Sequence, residues 1–108
     1  MNMVSRDSYL WTQHSRMKMR QYRLTESRVK RIIRHPARVE EGILEGAIAA
    51  MQPAEGKKYS EIWTMYVLSK TKDKSKNIKI ITAWRYPGKS PERDPIPAEI
   101  LREIRSII

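Results

Sequence analysis

The sequence predicts an α+β domain with two N-terminal helices, an antiparallel sheet of about four strands and a C-terminal helix. Three observations predict it. Up to Arg34, apolar residues recur at helical spacing among many cations. From Ala37 to Tyr86 the pattern changes to short runs rich in β-branched, aromatic and alanine residues. After Pro87, Gly88, Pro91, Pro95 and Pro97, which forbid regular structure, a helical apolar stripe returns.

In chain order, residues 1–7 read as a frayed, flexible arm. A helix starts at about Ser8, with Leu10, His14, Met17 and Leu24 on one face and Arg16, Lys18, Arg20 and Arg23 around the rest. Leu24-Thr25 makes a short break. Thr25 suits the N-cap of a second helix, Glu26 suits its positive end, and Leu24 is placed to pack on Val29. That helix runs to about Arg34, burying Val29, Ile32 and Ile33 and exposing Arg28, Lys30, Arg31 and Arg34. His35-Pro36 ends it, because the residue before proline avoids helical angles.

Ala37–Ile43 and Ala47–Gln52 read as two short strands joined by Leu44-Glu45-Gly46, although LEGAIAAM fits a helix as well. Pro53 to Lys58 is a loop. Tyr59–Leu68 and Ile78–Tyr86 read as a pair of longer strands, with the lysine-rich Lys70–Asn77 as a flexible hairpin tip. The second of these is an interior strand whose end carries Trp84, Arg85 and Tyr86 into the stiff proline loop. Ile96, Ile100, Leu101, Ile104, Ile107 and Ile108 form the stripe of the last helix.

One hundred and eight residues suit a single domain, 1–108, with one core. No run is apolar for long enough to span a bilayer, and Arg6, Asp7, His14, Arg16 and Lys18 interrupt any signal-peptide centre, so the expectation is no membrane and a cytoplasmic location. With no cysteine there is neither a disulfide framework nor a thiolate metal site. No Gly-rich phosphate loop, nucleophile elbow or His/carboxylate metal spacing occurs, so no metal and no cofactor are expected.

The net charge of +10 is unevenly placed. Residues 1–38 hold ten Lys/Arg against two Asp/Glu, residues 39–70 three against five, and residues 71–108 nine against five. A basic first third points to a polyanion such as RNA or to an acidic protein, against the plainer reading of a solvated face. His14-Ser-Arg-Met-Lys-Met-Arg20 is the most suggestive fragment, since an imidazole beside cations suits a phosphodiester. His14 equally fits a core histidine on the Leu10/Met17 face. Arg85, on one strand face with Ala83 and Ile81, either pairs with a carboxylate such as Glu61 or grips an anion. Trp63, Tyr66 and Trp84 read as core, or as a base-stacking platform if exposed.

His14, Met17 and Arg20 on the first helix, then Leu24-Thr25-Glu26 and Val29, resemble a family of small bacterial domains grouped with the BrnT and RelE-like toxins. The segment IITAWRYPGKSPERDPIPAEI is similar to a stretch in proteins of that type, and the resemblance covers about His14 to Ile104. It implies a RelE-like fold and metal-independent RNA cleavage by the toxin of a toxin–antitoxin pair. Carried over, His14 is the proton-transfer group and Arg20 and Arg85 are phosphate clamps. Arg16, Lys18, Arg23, Arg28, Lys30, Arg31 and Arg34 would bind RNA, and an acidic antitoxin would cover them. The rival is a non-enzymatic module that binds nucleic acid or protein through the same helices and the Lys70–Lys79 region.

Overall fold

A computed structural model describes residues 7–70 and 75–107, so the expected flexible arm, apart from Asp7, lies outside the described residues. The order is β1 (Ser8–Trp11), α1 (Gln13–Tyr22), α2 (Glu26–Arg34), β2 (Arg38–Glu41), β3 (Ala47–Pro53), β4 (Ser60–Lys70), β5 (Lys76–Pro87) and α3 (Ala98–Ile107). The α+β class and the three helices agree with the sequence reading, but the sheet has five strands rather than four and is mixed. Its order is β1-β5-β4-β3-β2, with β1 parallel to β5 and the other pairs antiparallel.

The extra strand corrects the N-terminal reading. Ser8–Trp11 is not helical. It pairs with Asn77–Ile80, so that Tyr9 and Trp11 pack on the core while Leu10 stays 60% exposed. The Leu10/His14/Met17 face is therefore not a core face, and Met17 is itself 47% exposed. The helix starts later because Thr12 caps it. Its Oγ accepts from the Ser15 N–H and donates to the Ile80 carbonyl, which fixes the strand-to-helix turn on β5. From there α1 runs beside the C-terminal half of β5, ending where the Arg85 Nε donates to the Tyr22 carbonyl.

The second helix matches its expected bounds, with Thr25 accepting from the Arg28 N–H. Leu24 and Val29 share one buried cluster with Met19, Ile32, Ala50, Ile62, Tyr66 and Ile80. The other sheet face buries Ala49, Met51, Trp63, Met65 and Trp84 beneath Ile100 and Ile104 of α3. Trp63 and Trp84 stack across the strands with centroids 5.9 Å apart, and both are fully buried with their indole N–H groups bonded. With Tyr66 buried as well, no stacking platform exists at these three positions.

LEGAIAAM resolves as a turn and a strand. Gly42 is required at its turn, because a Cβ there would lie 2.6 Å from the Ala47 Cβ. Residues expected in the hairpin tip belong partly to the sheet, since Lys70 pairs with Lys76 and Ser69 with Asn77. A bulge between Met65 and Tyr66 leaves Ile81 unpaired on β5 and resets the alternation there. Ile81 consequently joins Val67 and Lys79 on the α3 side, while Ala83 and Arg85 turn toward α2. Among the described residues, no helix is long and apolar enough to cross a membrane.

Candidate functional site

Two cavities flank α1, one at each end and on opposite faces of the sheet. The first, about 710 Å³, is a groove beside α3 lined by Thr12, His14, Met17, Leu44, Lys79 and Ile81 together with Gln13, Glu45 and Val67. The second, about 440 Å³, lies on the α2 side around Arg23, Arg28, Arg31 and Arg85, over Leu24 and Ile62.

The groove is open because α3 covers only part of its face. Toward the β1 end of the sheet, Leu10, Val67 and Lys79 border space whose lining includes no residue of α3. The start of α1 faces this space. Its first turn holds no acidic residue, and the Gln13 and His14 N–H groups have no acceptor within the helix. The positive end of the helix, the backbone N–H groups and the Lys79 ammonium make this a favourable place for an anion.

His14 stands in the groove wall with its side chain 10% exposed. Its Nε2 is buried with no hydrogen-bond partner, 3.7 Å from Oε1 of Glu103, which is ion-paired with the Lys18 ammonium at 3.1 Å. Burial pulls the imidazole below its ordinary value of 6.5; the Glu103 charge opposes this and Lys18 reinforces it. Burial thus favours the neutral form of this side chain.

The sequence-derived set is not assembled around one phosphate. Arg20 lies six residues beyond His14, about 9 Å along the axis and about 240° around it, so it occupies another face. It is exposed and makes no ion pair among the described residues. Arg85 meets the helix at Tyr22, about 12 Å along from His14. Nor is Glu61 its partner. Glu61 is buried on the other face and accepts from Tyr59, Trp63 and Ser90, with Arg38 at 3.6 Å. Burial raises the Glu61 pKa, but those donors outweigh it and hold the carboxyl below its ordinary value, tying the proline loop to the sheet.

The basic residues sort by partner. Lys18 is not on a solvated face; it is wholly buried, and Glu99 and Glu103 take its ammonium. The reason is that His14 and Lys18 share the side of α1 that meets α3. Arg16 pairs with Glu26 at 2.9 Å, and Arg28 with Glu55 at 2.9 Å. Lys30 and Arg34 lie over the Tyr9 ring. Arg23, like Arg20, is exposed with no carboxylate partner among the described residues, and Arg31 is exposed with no ion pair but with its charge acting on Glu55.

Sequence reasoning missed the role of the α1 N-terminus, because it started the helix at Ser8, and missed Glu103 altogether. Thr12 was the available signal, since a threonine three residues before Ser15 can cap. Lys79 was legible only as one of a lysine-rich stretch, because its place opposite Val67 is set by strand pairing that leaves no pattern in the chain. No family model, no curated protein and no solved structure matches this chain.

Proposed function

We propose that this protein binds RNA and cleaves it in the groove at the start of α1, without a metal. The observation that carries the reading is His14, an imidazole in the groove wall beside a helix N-terminus and Lys79, with its buried Nε2 turned to Glu103. With a phosphodiester at the helix end, His14 removes the proton of the 2′-hydroxyl. The 2′-oxygen then bonds to phosphorus, the bond to the 5′-oxygen breaks, and the leaving oxygen takes a proton from solvent. Charge building on the phosphorane falls on Lys79 and the Gln13 and His14 N–H groups. A RelE-like toxin held by an acidic antitoxin belongs to the same proposal. Its support is the helix pair α1–α2 followed by the antiparallel strands β2 to β5 and then α3, with β1 ahead of them, together with the basic first third.

The wide scatter of unpaired cations, with Arg20, Arg23 and Arg31 remote from His14, favours a second reading, a binding module without chemistry. An RNA-cleavage assay in EDTA separates the two. Cleavage by the parent and a loss of roughly 10²–10⁴-fold in His14→Gln, with unchanged melting temperature, support the enzyme. No cleavage, with affinity falling on a slope of roughly −0.7 per phosphate contact in log salt, supports the binder.

A further inference from the structure

The arginine cavity is a one-sided cluster of charge, lined by Arg23, Arg28, Arg31 and Arg85. Four guanidinium groups surround one space, and among the described residues the carboxylate that meets any of them is Glu55, hydrogen-bonded to Arg28 and within reach of the Arg31 charge. Such repulsion is normally relieved by interleaved acids or by an anion.

Two of the four are fixed before any ligand arrives. The Arg85 Nε donates to the Tyr22 carbonyl at 2.9 Å, and its two Nη groups have no acceptor among the described residues. Arg28 is held by Glu55 and by the Pro53 carbonyl, and its Nε is buried without a partner. Arg85, immobilised through its Nε, can turn its two Nη groups to two oxygens of a phosphate with little further loss of side-chain freedom, while Arg28, whose Nη groups are engaged, contributes charge alone. Arg23 and Arg31 add exposed charge at the rim, and Ile62 supplies an apolar wall.

We infer that this cavity is a second phosphate subsite, holding an RNA phosphate other than the one cleaved at His14. The inference rests on the RNA-cleavage reading above. From Thr12 to Arg23 the helix spans about 16 Å, and the exposed Gln13, Arg16, Arg20 and Arg23 lie along it between the two sites. At a stacked spacing of ~3.4 Å, about five nucleotides cover that distance. An octanucleotide reaches both sites, and a dinucleotide occupies only the groove. The cavity thereby makes substrate length, rather than base identity, a determinant of affinity.

The test uses a DNA octanucleotide, which lacks the attacking hydroxyl, for binding, and an RNA octanucleotide and dinucleotide for cleavage. Arg85→Gln and Arg31→Gln are each expected to weaken the DNA octanucleotide about tenfold. Each should raise KM for the RNA octanucleotide by the same factor, leave kcat unchanged and leave dinucleotide cleavage unchanged. Arg31→Gln guards against a folding defect in Arg85→Gln, because the Arg31 side chain supports nothing in the fold. Arg102→Gln, exposed on α3, is the control for bulk charge and should change affinity less than about twofold. Equal losses in Arg102→Gln, losses on the dinucleotide, or full octanucleotide affinity in both arginine variants overturn the subsite. A parent that binds in this pattern yet cuts nothing overturns the cleavage reading and leaves a phosphate site. A parent that cuts through His14 while both arginine variants bind normally overturns the subsite alone.

Discussion

The Lys18 ammonium on α1 lies 3.1 Å from Oε1 of Glu103 on α3, and none of the lysine side chain is exposed. With Glu99 at 3.3 Å, this cluster ties the first helix to the last. Desolvation is the largest influence on Lys18 and lowers its pKa, but the hydrogen bonds to Glu103 and Glu99 outweigh it and the net direction is upward. The two ends of the pair are not equivalent, since Glu103 keeps 31% of its surface and Lys18 keeps none.

Removing the acid should therefore cost more than removing the base. Glu103→Ala leaves a buried ammonium with Glu99 alone, and about 3 kcal/mol is expected, the low end for a broken buried pair. Lys18→Met keeps the stem and leaves two carboxylates that water reaches, so about 1 kcal/mol is expected. Because the folded pKa of Lys18 is raised, its stabilisation is complete below the unfolded value of 10.5 and is lost as pH rises through the folded value. Urea unfolding at pH 7 and at pH 11 checks both statements. A larger loss in Lys18→Met than in Glu103→Ala would contradict the account.

The His14 pKa is displaced the other way. A folded value below 6.5 means the folded state binds fewer protons, so its contribution to stability is present above 6.5 and fades as pH falls through the folded value. If His14 is the base, the acid limb of kcat/KM has its midpoint below 6.5. Glu103→Gln removes the charge that raises this pKa and should move the limb further down. Lys79→Gln should lower kcat and leave the limb near its original position, because Lys79 is not among the charges that shift His14. An acid limb at or above 6.5 would exclude His14 as the titrating group.

The C-terminal helix offers a packing test. Ile100 and Ile104 are fully buried against Trp63 and Trp84, whereas Leu101 is only partly buried. Ile100→Ala should cost about 3 kcal/mol, because a close-packed aromatic neighbourhood cannot collapse into the space left. Leu101→Ala should cost roughly 1 kcal/mol, since less surface returns to water. The sequence ranked the two alike, because the apolar stripe contains both. Equal losses on unfolding would mean that α3 sits on the sheet at a different rotation.

What the sequence disclosed follows from the range of the forces involved. The second helix was legible to the residue, because Thr25, Glu26 and His35-Pro36 are local signals. The two long strands were legible from their side chains, although pairing extended both into the expected tip. Ser8–Trp11 was not, since a four-residue parallel strand is defined by Asn77–Ile80, some seventy residues away. The same error displaced the start of α1, and with it the site. His14 was read from the sequence either as a proton-transfer group or as a core residue, and its environment comes from Glu103, Lys79 and Ile81, none of which is near it in sequence. For Arg85 the sequence left two readings open, a carboxylate partner such as Glu61 or an anion; the fold sets Glu61 on the other sheet face and places Arg23, Arg28 and Arg31 around Arg85.

Arg23 closes α1 with φ 58° and ψ 48°, a left-handed conformation that glycine or asparagine ordinarily supplies. The Leu24 N–H reaches back to the Met19 carbonyl at 2.8 Å, so the turn is locked whatever side chain it carries. A residue with a Cβ pays about 1–2 kcal/mol there, and replacing it by glycine returns about 0.5–1 kcal/mol of that to the unfolded chain as entropy. Arg23→Gly should therefore stabilise the fold by about 0.5–1 kcal/mol, a rise in melting temperature of roughly 3–6 °C. It also removes one guanidinium from the rim of the phosphate subsite, and oligonucleotide affinity should fall several-fold. Arg23→Lys keeps both the strain and the charge, so it should leave stability unchanged and recover most of the affinity. Thermal melts and salt titrations of the three proteins decide the point. A more stable Arg23→Gly with parental affinity would show that the strained arginine serves nothing in binding. A less stable one would show that the side chain, rather than the backbone, holds this turn.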